Sequence, residues 1–178
     1  MKRTGKVTLS AIMAALSATF MVTSFFPYLT YAIPAIAGLF IMIVVIEIGA
    51  KWGVLAFITA SVIVFILPAD AEAKLLYISF FGYYPILKAV LETKCSRVVE
   101  YIFKFLVFNV AIIVSYTVFA TVFSIDIGDM GEYGKYTPII LLALANIVFP
   151  IYDVAVGRMA GFYISRLHKS VSRIFNKN

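Results

Sequence analysis

Few residues in this chain can do chemistry, and their spacing points away from catalysis. The only histidine, His168, lies in a basic segment, and the only cysteine is Cys95. Serine and cysteine nucleophiles therefore lack an internal imidazole base, and a lone thiol makes no internal disulfide. Metal sites built from clustered His and Cys fail on the same count. A glycine-rich stretch, Gly128 to Thr137, is similar to a phosphate loop in composition only. Asp129 and Tyr136 occupy positions where the G-x-x-x-x-G-K-[ST] pattern needs Gly and Ser/Thr. It is read as a flexible acidic loop. The expectation is a protein that is not an enzyme and needs no cofactor and no metal.

The informative polar residues are those embedded in apolar sequence. Lys88 and Asp153 each interrupt a hydrophobic run, which costs about 2.5–3.5 kcal/mol per charge in a membrane. Lys88 can either snorkel on its long stem or pair with Asp153. Asp153 is too short to snorkel and needs a partner such as Lys88, Arg158 or a tyrosine. Glu47 and Lys104 are expected at the interface, at the ends of their runs. Asn109, Asn146, Tyr77, Tyr83, Tyr84 and Tyr116 fall within three consecutive hydrophobic runs. In hydrocarbon such groups either bond between helices or line a cavity. Together they predict a polar-aromatic pocket, with the loop from Pro27 to Pro34, including Tyr28 and Tyr31, as its cover. Pro85 and Pro150 predict kinks beside it.

The elements that position these residues follow from hydropathy. Of the 178 residues, 63% are hydrophobic. A bilayer core about 30 Å thick takes roughly 20 apolar residues in a helix. Runs near 7–26, 33–48, 52–67, 75–91, 99–123 and 138–158 predict one domain, an all-α polytopic membrane protein: a compact bundle of six transmembrane helices with a basic tail at 166–178. The first run is taken as a retained helix rather than a cleaved signal, because it is about 20 residues long and a second run follows closely.

Lys and Arg gather on one side of these spans. Lys2, Arg3, Lys6, Lys51, Lys94, Arg97, Arg166, Lys169, Arg173 and Lys177 share it, whereas Lys74 and Lys135 lie opposite among Asp70, Glu72, Asp126, Asp129 and Glu132. The positive-inside rule then puts both termini in the cytoplasm of a multi-pass protein of the cell membrane, in keeping with a bacterial inner membrane. The tail lies against anionic lipid headgroups. Topology accounts for the net charge of +6, and nucleic acid is not implied as a partner.

In the first run, Ala11-x-x-x-Ala15 and Ala14-x-x-x-Ala18 overlap to form a stripe of small residues. Such stripes admit another helix at close range, either within the bundle or from a partner. With this motif, its length and its six-span pattern, the chain resembles the substrate-binding S components of energy-coupling-factor transporters. The resemblance covers the whole chain in architecture and rests on one short motif. It implies that Ala11, Ala14, Ala15 and Ala18 meet a transmembrane coupling subunit. It also implies that cytoplasmic ATPases drive uptake, and that the pocket takes a small-molecule ligand, a vitamin or precursor. Two further classes stay open: an ion-coupled secondary transporter using Lys88 and Asp153, and a non-transport assembly protein. The absence of an internal repeat between the two halves of the sequence weighs against the former.

Overall fold

The computed structural model describes residues 2–26, 29–123 and 136–176. Tyr28 and nearly all of the glycine-rich stretch lie outside the described residues. Among the described residues every regular element is helical. Helix α1 (Arg3–Val22) ends in a short 3-10 turn, Thr23–Phe25. Helices α2 (Ala32–Ile48) and α3 (Ala50–Ile66) follow, then α4 (Ala71–Leu76), a π-helical turn (Tyr77–Phe81) and α5 (Tyr84–Lys94). Helices α6 (Arg97–Val122), α7 (Thr137–Arg166) and α8 (His168–Asn176) complete the chain.

Four helical stretches, Arg3–Phe25, Ala71–Lys94, Arg97–Val122 and Thr137–Arg166, are long and apolar enough to cross a membrane. The chain is an all-α membrane protein. Helices α2 and α3, at 17 residues each, rise only about 26 Å, short of a core about 30 Å thick. The last long helix runs eight residues beyond the expected end at 158, and residues 168–176 of the expected tail form a helix of their own.

Helices α1, α2 and α3 pack closely because their facing residues are small. Ala14 and Ala18 of α1, Ala37 of α2, and Ala56 and Ala60 of α3 are all buried in one cluster. A single residue, Gly49, turns α2 into α3; its φ of +95° is one that side-chain-bearing residues rarely adopt.

The fourth expected span is broken rather than simply kinked. Gly82 N–H reaches back to Tyr77 O at 2.8 Å, closing the π turn, and α5 restarts at Tyr84 with Pro85 in its first turn. There the missing proline N–H costs no helix bond. The break presses against α2 at Gly38, where an added Cβ would lie 2.3 Å from Phe81 O. Only glycine lets backbone meet backbone at this point. Pro150, by contrast, lies within α7, which runs through it as one helix.

A second cluster joins the broken helix to α6 and α7 through Phe80, Tyr84, Phe108 and Phe149, with Phe105 and Tyr152 packed against it. Phe108 and Phe149 stack at 4.5 Å between centroids. The most apolar windows of α6 and α7 are only 22% and 17% buried. Most of their surface therefore faces outward, as suits helices bathed in lipid.

Candidate functional site

Charged residues from each of α5, α6 and α7 converge on one carboxylate. Asp153 Oδ1 accepts hydrogen bonds from Tyr84 OH at 2.5 Å, Lys88 Nζ at 2.6 Å and Lys104 Nζ at 3.0 Å. Lys104 also donates to Glu100, one turn earlier on α6, and to Glu92 of α5 at 3.2 Å. Lys88 in turn pairs with Glu92 at 2.6 Å. Lys88, Lys104, Glu100 and Asp153 are buried, whereas the Glu92 side chain is 44% exposed and forms the outer edge of the network. Gly157, one turn past Asp153, leaves room for the Lys88 ammonium, which lies 3.7 Å from where its Cβ would be.

Lys88 thus pairs and does not snorkel, and Asp153 finds Lys88 and a tyrosine rather than Arg158. Lys104 is packed between helices near the start of α6: its ammonium is ringed by carboxylates from three helices, and the residue is 1% exposed. The network satisfies each ammonium two or three times, which is what makes burial of charge tolerable. Three carboxylates face two ammoniums. A triply bonded carboxylate is a fixed acceptor that ties helices together; no imidazole stands beside it to relay protons. Among the described residues no group of His, Cys, Asp and Glu is arranged to hold a metal ion.

The expected polar-aromatic pocket is not assembled as one site. Asn109 and Asn146 bond each other reciprocally at 2.9 and 2.8 Å. Each also donates to the backbone carbonyl four residues earlier, Phe105 O and Leu142 O. These amides join α6 to α7 and have spent their donors on protein. Tyr77 donates to Ser17 Oγ at 2.7 Å, and Ser17 donates onward to Ala37 O at 2.9 Å, so Tyr77 belongs to the α1–α2 core. Tyr84 belongs to the ion network. Tyr116 is half-buried on α6. The common cause is that in a low-dielectric interior each polar group takes the nearest partner, and the nearest partners lie in different places.

Among the described residues expected at the pocket, Tyr83 borders an open groove. It packs against Phe57 and Phe80, at 5.7 and 6.2 Å between centroids. Beside it a shallow apolar groove of about 280 Å³ runs between the helix break and α6, lined also by Ser79, Leu106, Val110 and Val114. Ser79 Oγ accepts from Ser115 Oγ at 2.5 Å across this junction.

At the end of the bundle near the α1–α2 and α3–α4 connections, Asp70 caps α4 through Ala73 N–H at 2.8 Å. Its own N–H donates to Ser24 Oγ at 3.0 Å. Tyr31 OH donates to Glu72 Oε1 at 2.7 Å. Tyr31 is therefore tied to the start of α4; burial, and then the Glu72 carboxylate, push its phenol up to about 12. At the opposite end, at the last turn of α2, the Glu47 side chain is buried: its Oε1 accepts from Tyr163 OH at 2.7 Å and lies 2.9 Å from His168 Nδ1.

The alanine stripe of α1 divides. Ala14 and Ala18 are each 1% exposed and pack inside the bundle, so a partner cannot reach them while it is intact. Ala11 and Ala15 are exposed. The overlapping repeats are two faces, one for α2 and α3 and one for the surroundings.

The sequence alone did not single out Lys104, Glu92 and Glu100 as partners of Asp153, nor the Glu47–Tyr163–His168 group. The signal was present in Lys88–Glu92 and Glu100–Lys104, two opposite-charge pairs at the four-residue spacing of one helix face. Comparison with protein-family models, characterised proteins and solved structures gives no match. The fold and the network define an all-α membrane protein whose helices α5, α6 and α7 are joined by buried ions.

Proposed function

We propose that this chain is the substrate-binding subunit, an S component, of an energy-coupling-factor importer. On this reading it crosses the cell membrane six times with both termini in the cytoplasm, and it captures a vitamin or related micronutrient for uptake driven by partner ATPases. The observation that carries the proposal is the separation of two surfaces. Helix α1 turns the small side chains Ala11 and Ala15 outward, as a helix does where another must approach closely. The helix break carries Tyr83 and Ser79 beside an open groove elsewhere on the bundle. The first surface suits docking to a coupling subunit. The second offers an aromatic face and a hydroxyl in an apolar wall, the usual composition of a small-molecule site.

A thermal-shift screen of the purified protein against vitamins, precursors and nucleobases tests this. A ligand at about 100 times its dissociation constant adds roughly 2.7 kcal/mol. One strong stabiliser, weakened by Tyr83→Ala and untouched by Ala15→Trp, is expected; Ala15→Trp should instead prevent co-purification with a coupling subunit. A panel with no stabiliser, in a protein that also recruits no ATPase, would sink the proposal.

The Lys88–Asp153–Lys104 network favours a second reading, an ion-coupled carrier, because intramembrane charge often marks an ion path. That reading requires uptake that responds to uncouplers without any ATPase and is abolished by Asp153→Asn.

A further inference from the structure

We infer that α8, together with the start of α1, forms a binding surface for anionic phospholipid. From Val154 onward the sequence holds Arg158, Arg166, Lys169, Arg173, Lys177 and His168, with no Asp or Glu. Arg158, Arg166, Lys169 and Arg173 form no ion pair among the described residues. Lys88 and Lys104, by contrast, are paired in the network around Asp153, so this group of four cations is left for something outside the chain.

Its placement identifies the partner. Helix α7 ends at Arg166 and α8 starts at His168 after a single linking residue. In sequence, the apolar residues of α8 recur at 171, 174 and 175, the i, i+3, i+4 spacing of one helix face. Lys169 and Arg173, both exposed, fall four apart on another. A short helix with one apolar and one cationic face, set at the end of a membrane-spanning helix, is built to lie in the interface with its cations at headgroup level. Helix α8 also packs against α1, whose exposed Lys2 and Arg3 add to the same basic end. Glu47 fixes the geometry: buried at the end of α2, it holds Tyr163 of α7 and His168 at the root of α8. The surface is thus part of the folded bundle, and charge complementarity makes an anionic lipid layer its occupant.

The test uses the full-length protein in nanodiscs of phosphatidylcholine with or without phosphatidylglycerol. Ser170→Cys in a Cys95→Ser background carries an environment-sensitive fluorophore, read by quenching from headgroup-level nitroxide lipids. Quenching should rise when phosphatidylglycerol is present, fall back in high salt, and lose its lipid dependence in Lys169→Gln/Arg173→Gln. The salt arm leaves every cation of the surface in place. Equal quenching in both lipids, insensitive to salt, would overturn the inference. So would a lipid-dependent signal that survives the double substitution, since the contact would then not be made by these cations. Quenching that appears only when an acidic partner protein is added would assign the surface to protein and equally overturn it.

Discussion

The α1–α3 region and the α5–α7 region are held together in opposite ways. In the first, small buried side chains line the contacts between helices, and a hydroxyl chain runs from Tyr77 through Ser17 to Ala37 O. In the second, the helices are tied by a five-residue ion network, a reciprocal asparagine pair and a stack of aromatic rings. Lipid tails are as apolar as leucine, so apolar burial alone does little to bring helices together. Close packing and satisfied polar groups are the two remedies, and this chain uses one on each side. The first resists bulk and tolerates little change in shape. The second tolerates shape and fails when a partner is removed.

That contrast is broken most severely at Asp153. Asp153→Ala should leave two buried ammoniums short of a carboxylate and destabilise the protein by about 3–5 kcal/mol, seen as a large drop in melting temperature in detergent. Lys88→Met/Asp153→Leu should recover part of the loss, because apolar replacement of a buried pair is often neutral. If Asp153→Ala melts like the parent, the network does not hold the α5–α7 region together.

Gly38 tests where the two regions meet. Gly38→Ala sets a methyl 2.3 Å from Phe81 O, and a carbonyl in the backbone cannot swing aside as a flexible side chain can. A cost of about 1–3 kcal/mol is expected, while Gly157→Ala, whose added methyl would meet the Lys88 side chain at an ordinary contact distance of 3.7 Å, should cost far less. Equal melting temperatures for the two variants would show that the break can yield.

The asparagine pair comes next. Asn109→Ala should cost about 0.6–1.7 kcal/mol, from the average to the largest interhelical hydrogen-bond energy measured in a membrane protein. Asn109→Ala/Asn146→Ala should cost less than the sum of the two single changes, because each single change strands its partner. Strict additivity in a double-mutant cycle would deny the bond.

The smallest effect on stability is expected on the exposed face of α1. Ala15→Leu should change stability by about 0.5 kcal/mol or less, whereas Ala14→Leu, buried against α2 and α3, should destabilise by about 1–3 kcal/mol. Paired unfolding curves decide it; equal losses would mean that both faces of the stripe are packed.

The helical class, the four long apolar stretches among the six expected runs, and an irregularity beside Pro85 were legible because each depends on local properties: hydropathy over a window, and the missing N–H and fixed φ of proline. That two runs form short helices, and that the irregularity is a π turn and a restart rather than a kink, was not legible. Lys88 and Asp153 were legible as a problem, since two charges in apolar runs require a solution. The solution was not, because Lys104 looks peripheral from its distance to the helix start. Its burial depends on which way α6 is rotated against α5 and α7, and no local pattern sets that rotation. Asn109 and Asn146 were visible as buried amides, yet a pocket and a mutual bond demand the same residues.

The alanine stripe shows the boundary most plainly. Spacing alone put Ala11, Ala14, Ala15 and Ala18 on neighbouring helix faces, because 3.6 residues complete each turn. Which pair is buried follows from where α2 and α3 lie. By itself the sequence determined that this chain is made of apolar helices suited to a membrane, and that its buried charges must be paired. Tertiary structure alone decided the pairs, the split of the stripe and the scattering of the tyrosines, because partner choice in a low-dielectric interior depends on distances between helices far apart in the chain.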